Sequence, residues 1–113
     1  MANPSIKRIY GPAYLSATTT TNIYNQSSAL IYDVVKHIHL FNTTGGAVTA
    51  SIWLSTTGDN TGGKELFKAL SIAANSPYDY YCNLKMVSTD FLVGGASAGT
   101  SITITIESEQ YVV

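Results

Sequence analysis

The chain has 113 residues, 12% of them charged, and a formal net charge of −1. This length corresponds to about one domain, and six Lys and Arg residues are too few for nucleic acid to be the main partner. Ser, Thr, Asn, Gly and Tyr take the place of charges. Neutral groups of this kind pack against a neighbour without the desolvation cost of an ion. We therefore expect a surface suited to assembly.

No stretch of the sequence has the apolar length of a secretory signal or a membrane span. We therefore expect no membrane partner, and assembly in the cytosol of the cell that makes the protein. Cys82 is the one cysteine, so an intrachain disulfide is excluded. It lies in an apolar run without basic neighbours, which is typical of a small buried hydrophobe rather than a reactive thiol.

Residues 1–12 differ in composition from the rest of the chain. They contain two prolines, a glycine and the basic pair Lys7 and Arg8, with few residues that pack in a core. Such a segment is either a frayed terminus or an extended arm that lies on a neighbouring subunit. We assign 1–12 as an extended N-terminal arm and 13–113 as a single β-sandwich domain.

Apolar and polar residues alternate with a period of two along most of the chain, which predicts strands with one buried face. The alternation is cleanest in 47–54 and 102–107, and 30–41 reads as one long strand with a bulge near Asp33. A helix is conceivable only at 64–74, where we prefer a strand. The predicted strands are 13–17, 21–26, 30–41, 47–54, 65–72, 78–86, 91–93 and 102–107. About eight short strands predict an all-β, antiparallel β-sandwich of jelly-roll type.

The segment 42–46, Asn-Thr-Thr-Gly-Gly, separates two of these strands. Two consecutive glycines supply the positive φ that a tight hairpin turn needs. The sequence therefore predicts a β-hairpin that joins 30–41 to 47–54.

Aromatic residues are the first candidates for contact with other molecules. The alternation places Trp53 on the outward face beside Thr49 and Ser51, so that either a second layer covers it or it anchors an interface. Tyr80 and Tyr81 project from opposite faces of their strand, and an exposed tyrosine suits a recognition surface. Carbohydrate binding uses similar aromatics, but the pattern is not specific for it.

The sequence contains no nucleophile elbow, phosphate loop or dinucleotide fingerprint, so we expect no enzymatic activity. His37 and His39 project from one face of a strand and have the chemistry to share a metal ion. A zinc site needs three or four ligands, and the chain has no third histidine. Cys82, a carboxylate or a symmetry axis would have to complete the site. We interpret the pair as amphipathic rings in a sheet or interface, and expect no metal and no cofactor.

The segment 30–49 resembles a pattern of small tailed-bacteriophage virion proteins, in which a strand ends in an Asn-Thr-Gly-like turn and an Ala-Val-Thr strand follows. Segments 67–76 and 101–107 match a later Leu-rich strand and turn and a closing alternating strand, so the resemblance covers roughly 29–107. The His-Ile-His strand and residues 10–14 depart from the pattern. The resemblance implies a non-enzymatic structural role, in β-sandwiches that often assemble as trimers, and carries no catalytic residues.

We therefore predict a capsid decoration (cement) protein of a phage virion, which stabilises the head by bridging capsomers as a homotrimer bound to the major capsid protein. The alternatives are a neck, tail or fibre component of the virion, a carbohydrate-binding β-sandwich module, and a metal-dependent enzyme that uses His37 and His39. The predicted interface residues are Lys7, Arg8, His37, His39, Trp53, Tyr80 and Tyr81.

Overall fold

Strands dominate the computed structural model, which describes residues 6–18 and 20–112. Within these ranges there are eight strands and one short 3-10 turn at Asn60–Gly62, and no helix is long and apolar enough to span a membrane. The predicted all-β class and strand number are confirmed, including a strand at 64–72. The strands are β1 Ile6–Tyr14, β2 Asn22–Asn25, β3 Ile31–Asn42, β4 Val48–Ser55, β5 Gly63–Ile72, β6 Pro77–Met86, β7 Phe91–Ala96 and β8 Ile102–Val112.

The strands form two antiparallel sheets of four. Sheet A has the order β1-β8-β3-β6, and sheet B has the order β2-β7-β4-β5. The inward-facing side chains of the two sheets make one core, as expected when each strand buries alternate residues. Its fully buried members include Ile38 and Leu40 of β3, Ile52 of β4, Leu92 of β7, and Ile102, Ile104 and Ile106 of β8.

The hairpin predicted between residues 41 and 47 is wrong, because β3 lies in sheet A and β4 in sheet B. The connection instead crosses from one sheet to the other and is organised by the buried side chain of Asn42. Its amide donates to the carbonyls of Gly46 and Ile72 at 2.8 and 3.0 Å, and its carbonyl oxygen accepts from the Thr44 N–H at 2.9 Å. The polar residues 42–46 therefore form a connection between the two sheets rather than a hairpin turn within one sheet.

The predicted N-terminal arm is wrong where the structure describes it. Residues 6–12 belong to β1, which pairs with β8 in register from Ile6 opposite Glu109 to Tyr14 opposite Thr103. The strand was hidden because its pairing shifts around Gly11, whose φ is +83° and where a Cβ would lie 2.1 Å from the Ile104 carbonyl oxygen. This irregularity breaks the alternation that marks a strand. Residues 1–5 of the predicted arm lie outside the described residues.

Of the two alternatives that the sequence left open for Trp53, the structure favours a covering layer over an exposed interface anchor. Its side chain is 7% exposed, and the backbone of Gly63, at the start of β5, lies against it. Ser51 is equally buried, and its hydroxyl accepts a hydrogen bond from the N–H of Ala69. Ala69 lies in β5 and has a positive φ of 51°. A layer of this chain covers Trp53, so the indole is not an exposed anchor.

The bulge predicted near Asp33 lies three residues further along, at Lys36. The pairing of β3 with both of its neighbours shifts between Val35 and His37. One extra residue lets both Val35 and Ile38 face the core, since each is 0% exposed. The bulge therefore explains the mixed polarity of the strand and leaves His37 and His39 on the outer face of sheet A.

Candidate functional site

The outer face of sheet A carries a cluster of two histidines and two carboxylates. β3 lies between β8 and β6, so its outward side chains have neighbours on both sides. The register places His37 opposite Tyr81 of β6 and Glu107 of β8, and His39 opposite Asp79 of β6. Directly opposed residues of antiparallel strands project from the same face. We call His37, His39, Asp79 and Glu107 the His–carboxylate cluster.

Each contact within the cluster is short. His37 Nδ1 lies 2.9 Å from Glu107 Oε1, and His37 Nε2 lies 2.7 Å from Asp79 Oδ1. His39 Nδ1 lies 2.6 Å from the same Asp79 oxygen. One carboxylate oxygen therefore joins two imidazoles, and a second carboxylate fixes the ring orientation of His37.

The titration of the cluster reflects these contacts. Burial alone lowers the pKa of His37, but the hydrogen bonds and charges of Glu107 and Asp79 outweigh it and raise that pKa above its ordinary value. Hydrogen bonds from His39 and His37 lower the pKa of Asp79. The cluster therefore favours positive charge on the imidazole and negative charge on the carboxylate.

Tyr81 forms one wall of the cluster. Its ring stacks on the His37 ring with centroids 4.4 Å apart and planes inclined by 6°, yet it is 73% exposed. Tyr80 projects from the other face of β6 and packs edge-on against Phe67 at 5.7 Å. The prediction that these two tyrosines face opposite sides is confirmed, and Tyr81 alone remains available at the surface.

Charged and aromatic side chains continue along the same face beyond the cluster. Lys36 pairs with Glu109 at 3.1 Å. Tyr32 stacks on Tyr111 with centroids 5.1 Å apart, and the Lys85 ammonium lies 4.6 Å above the Tyr32 ring. Acids and bases alternate here rather than forming a field of one sign, so this face is not an anion-binding surface.

The structure brings four of the predicted interface residues to the outer face of sheet A. One of them is Arg8 of β1, which lies opposite Glu107 and thereby adjoins the His–carboxylate cluster, whereas Lys7 lies opposite the buried Ser108 and belongs to the other face. The other three predicted residues on the outer face of sheet A are His37, His39 and Tyr81. Trp53 lies in sheet B and Tyr80 packs between the sheets, so neither is part of that outer face.

Sequence reasoning missed Asp79 and Glu107 as specific partners of the histidines. Their distance from His39 and His37 depends on strand register between segments about 40 and 70 residues apart, which alternation does not encode. Cys82, the other suggested ligand, faces the core: its thiol donates to the Val35 carbonyl at 3.3 Å, and burial raises its pKa.

Three atoms of the cluster have the character of metal ligands. One donor atom each from His37, His39 and Asp79 lies within 4.8 Å of the other two. Imidazole nitrogen and carboxylate oxygen both ligate zinc and related ions. The sequence identified two candidate ligands, His37 and His39, and the fold adds Asp79 as a third.

A second feature is a group of exposed apolar side chains at one end of sheet A. Ile6 begins β1, Leu30 precedes β3, Val87 follows β6 and Val112 ends β8, and the strand pairing brings these four termini to the same end. Their exposed fractions are 61, 71, 37 and 82%. We call these four residues the apolar end.

Comparison with known proteins gives no relative: no protein-family model matches the chain, and no curated protein matches its sequence.

Proposed function

We propose that this chain is a non-enzymatic structural subunit of a tailed-bacteriophage virion. More specifically, we propose a capsid decoration protein that assembles as a homotrimer and bridges copies of the major capsid protein on the particle. The apolar end is the observation that carries the proposal. The strand order, the charged edge strand β5 and the low charge of the chain also support it.

The strand order supports a jelly roll. The first strand pairs with the eighth, the second with the seventh, the third with the sixth and the fourth with the fifth. This nested pairing is what a long hairpin produces when it is folded over into two four-stranded sheets. Jelly rolls of eight strands recur in viral capsid and lectin domains, so the topology is compatible with a virion role but does not select it.

The apolar end supports contact with other polypeptides. Ile6, Leu30 and Val112 are each more than 60% exposed, although large aliphatic side chains are usually buried. A group of such residues at one place on a surface marks an interaction site more often than scattered single residues do. In the proposed assembly the apolar end is buried against a sister subunit or the capsid shell.

The free edge of sheet B at β5 argues against assembly by strand addition at that edge. The edge strand β5 carries Lys64, Glu65 and Lys68 and is interrupted by the positive φ at Ala69. Charges and irregularities on an edge disfavour pairing with a strand of another chain. The proposed contacts therefore use the end and the outer face of sheet A, including Tyr81 and Arg8.

The burial of Trp53 weakens the alternative of a carbohydrate-binding module. Sugar recognition by flat aromatic rings needs those rings at the surface, and Trp53 is 7% exposed. Tyr80 packs on Phe67 and is likewise turned inward. Tyr81 alone is a weak basis for a sugar site, so we do not adopt this function.

The proposal is tested by purifying phage particles that encode the chain and measuring its copy number and position by quantitative mass spectrometry and electron cryo-microscopy. A decoration protein is present in many copies spread over the shell. About six or twelve copies would place it in a neck or tail ring, since such rings have closed cyclic symmetry, and would overturn the decoration role. Absence from the particle would overturn the virion role altogether.

A further inference from the structure

We infer that His37, His39 and Asp79 form a binding site for a divalent transition-metal ion on the outer face of sheet A. The ion is of the zinc class, which accepts imidazole nitrogen and carboxylate oxygen together. The inference does not depend on the proposed virion role, because it uses only the geometry of the His–carboxylate cluster.

The donor atoms are close to the arrangement that an ion requires. Zinc binds such ligands at about 2.0–2.2 Å in tetrahedral geometry, which puts neighbouring ligand atoms roughly 3.3 Å apart. His37 Nε2 and His39 Nδ1 lie 2.7 and 2.6 Å from Asp79 Oδ1, and all three donors are within 4.8 Å of one another. Both nitrogens would therefore have to move away from Asp79 Oδ1 by about 0.6 Å to admit the ion, and the proposal requires side-chain rotation to supply this movement.

Glu107 supplies the outer support that a ligating histidine needs. It accepts from His37 Nδ1 at 2.9 Å, on the side of the ring away from Asp79. With an ion bound, this bond would hold the proton on Nδ1 and leave the lone pair of Nε2 free to ligate the ion. Carboxylate–histidine–metal arrangements of this kind fix the tautomer and orientation of the ligand.

The donor count leaves a place for a cation. With its Nδ1 proton directed at Glu107, a neutral His37 has no proton for Asp79, although Nε2 lies 2.7 Å from that carboxylate. Without an ion, a second proton on His37 lies between these two atoms, and a bound metal ion would displace that proton. The two carboxylates of the cluster balance the charge of a divalent ion without a further group.

The position of the cluster makes the site open rather than closed. The side chains of His37, His39 and Asp79 are 18, 37 and 35% exposed, so a fourth coordination position faces solvent. Three protein ligands with an open position hold an exchangeable ligand, either water or a donor from another molecule. We therefore expect a bound ion that chelators remove without unfolding the sandwich.

The test uses the full chain without a polyhistidine tag, treated with chelator and dialysed, and titrated with ZnCl₂ in a calorimeter. We expect one Zn²⁺ per chain and no binding of Mg²⁺, which prefers oxygen ligands. His39→Ala and Asp79→Ala should each weaken Zn²⁺ binding by about tenfold or more, since each removes a ligand. The matched control Glu65→Gln, an exposed carboxylate of sheet B, should bind as the wild type does.

Glu107→Gln tests the supporting role, and we expect it to weaken Zn²⁺ binding by about 10- to 100-fold while the ligands remain. Histidine side-chain NMR of the wild-type chain provides a readout that needs no variant: Zn²⁺ should shift the His37 Nε2 and His39 Nδ1 resonances. The inference is overturned if the wild type binds no Zn²⁺, if His39→Ala and Asp79→Ala bind it as tightly as the wild type, or if neither histidine resonance moves.

Discussion

At the scale of single residues, two buried polar side chains fix the position of the two ends of β3. Asn42, the last residue of β3, makes side-chain hydrogen bonds to Gly46, Ile72 and Thr44. Asp33 lies near the start, fully buried, and its Oδ2 accepts from the Tyr24 hydroxyl at 2.7 Å and from Gln26 Nε2 at 3.1 Å. Buried polar groups of this kind specify one arrangement because every alternative leaves them without a partner.

Asn42→Ala should destabilise the fold by about 3 kcal/mol, because it removes the donors for two carbonyls and the acceptor for a turn N–H. Urea unfolding measures the change. The control Asn83→Ala, at an exposed position where the amide bonds only Lys36, should change stability by less than about 0.5 kcal/mol. Equal effects of the two substitutions would show that Asn42 does not organise the connection between the two sheets.

Tyr24→Phe should lower the free energy of unfolding by about 1–3 kcal/mol at neutral pH. The substitution leaves the buried Asp33 carboxylate with Gln26 as its partner at Oδ2 and no partner at Oδ1. Burial and Asp33 raise the pKa of Tyr24 well above its ordinary value of 10.0. Above about pH 10 the unfolded tyrosine ionises first, so the stability that wild-type Tyr24 contributes is lost as the pH rises.

The stability difference between the wild type and Tyr24→Phe should therefore narrow above pH 10 in urea unfolding at several pH values. Tyr14→Phe, at an exposed site, provides the control and should stay close to the wild type at neutral pH. A difference that stayed constant into the alkaline range would contradict the role assigned to the Tyr24–Asp33 bond.

At the scale of strands, irregularities decide which residues reach the surface. The bulge at Lys36 turns His37 and His39 outward while Val35 and Ile38 stay in the core. Period-two alternation and apolar composition together located seven of the eight strands in outline; β7, for example, buries residues 92–96 without alternation. The alternation failed at β1, where the shift around Gly11 breaks the pattern, and it did not decide whether Trp53 is covered, because the start of β5 that lies against Trp53 leaves no signal in β4 itself.

Gly94 lies where two strands leave no room for a side chain. A Cβ there would lie 2.1 Å from the Ser51 carbonyl oxygen and 3.0 Å from Ile52 Cα, both backbone atoms of β4. Gly94→Ala should therefore separate β7 from β4 and cost about 3 kcal/mol or more. The comparison is Gly45→Ala, where a Cβ meets nothing within 4 Å. Thermal unfolding that ranks the two variants equally would contradict this packing.

At the scale of the whole molecule, the class of fold was readable from the sequence, but the assignment of strands to sheets was not. Consecutive strands change sheet at every connection except that from β4 to β5, whereas local turn chemistry at 42–46 indicated a hairpin. The His–carboxylate cluster was hidden for the same reason. Its two histidines are two positions apart in the sequence, but Asp79 and Glu107 reach them only through strand pairing across the sheet.

We propose that this chain binds other copies of itself through exposed surface that a monomer would leave in water. A stable interface of this kind buries about 1,000 Å² or more. Leu30 and Val112 are 71 and 82% exposed, so replacing both by Glu places two like charges at the apolar end without disturbing the core. Ala73→Glu, at an exposed position at the opposite end of the molecule, is the matched control.

Sedimentation velocity of the purified chain over a range of concentrations tests this claim most directly. We predict that the wild type and Ala73→Glu sediment as a trimer, three times the 12.1 kDa of one chain, and that the Leu30→Glu, Val112→Glu double variant sediments as a folded monomer. A wild-type chain that remains a monomer at every concentration, or a double variant that still forms the trimer, would contradict the account.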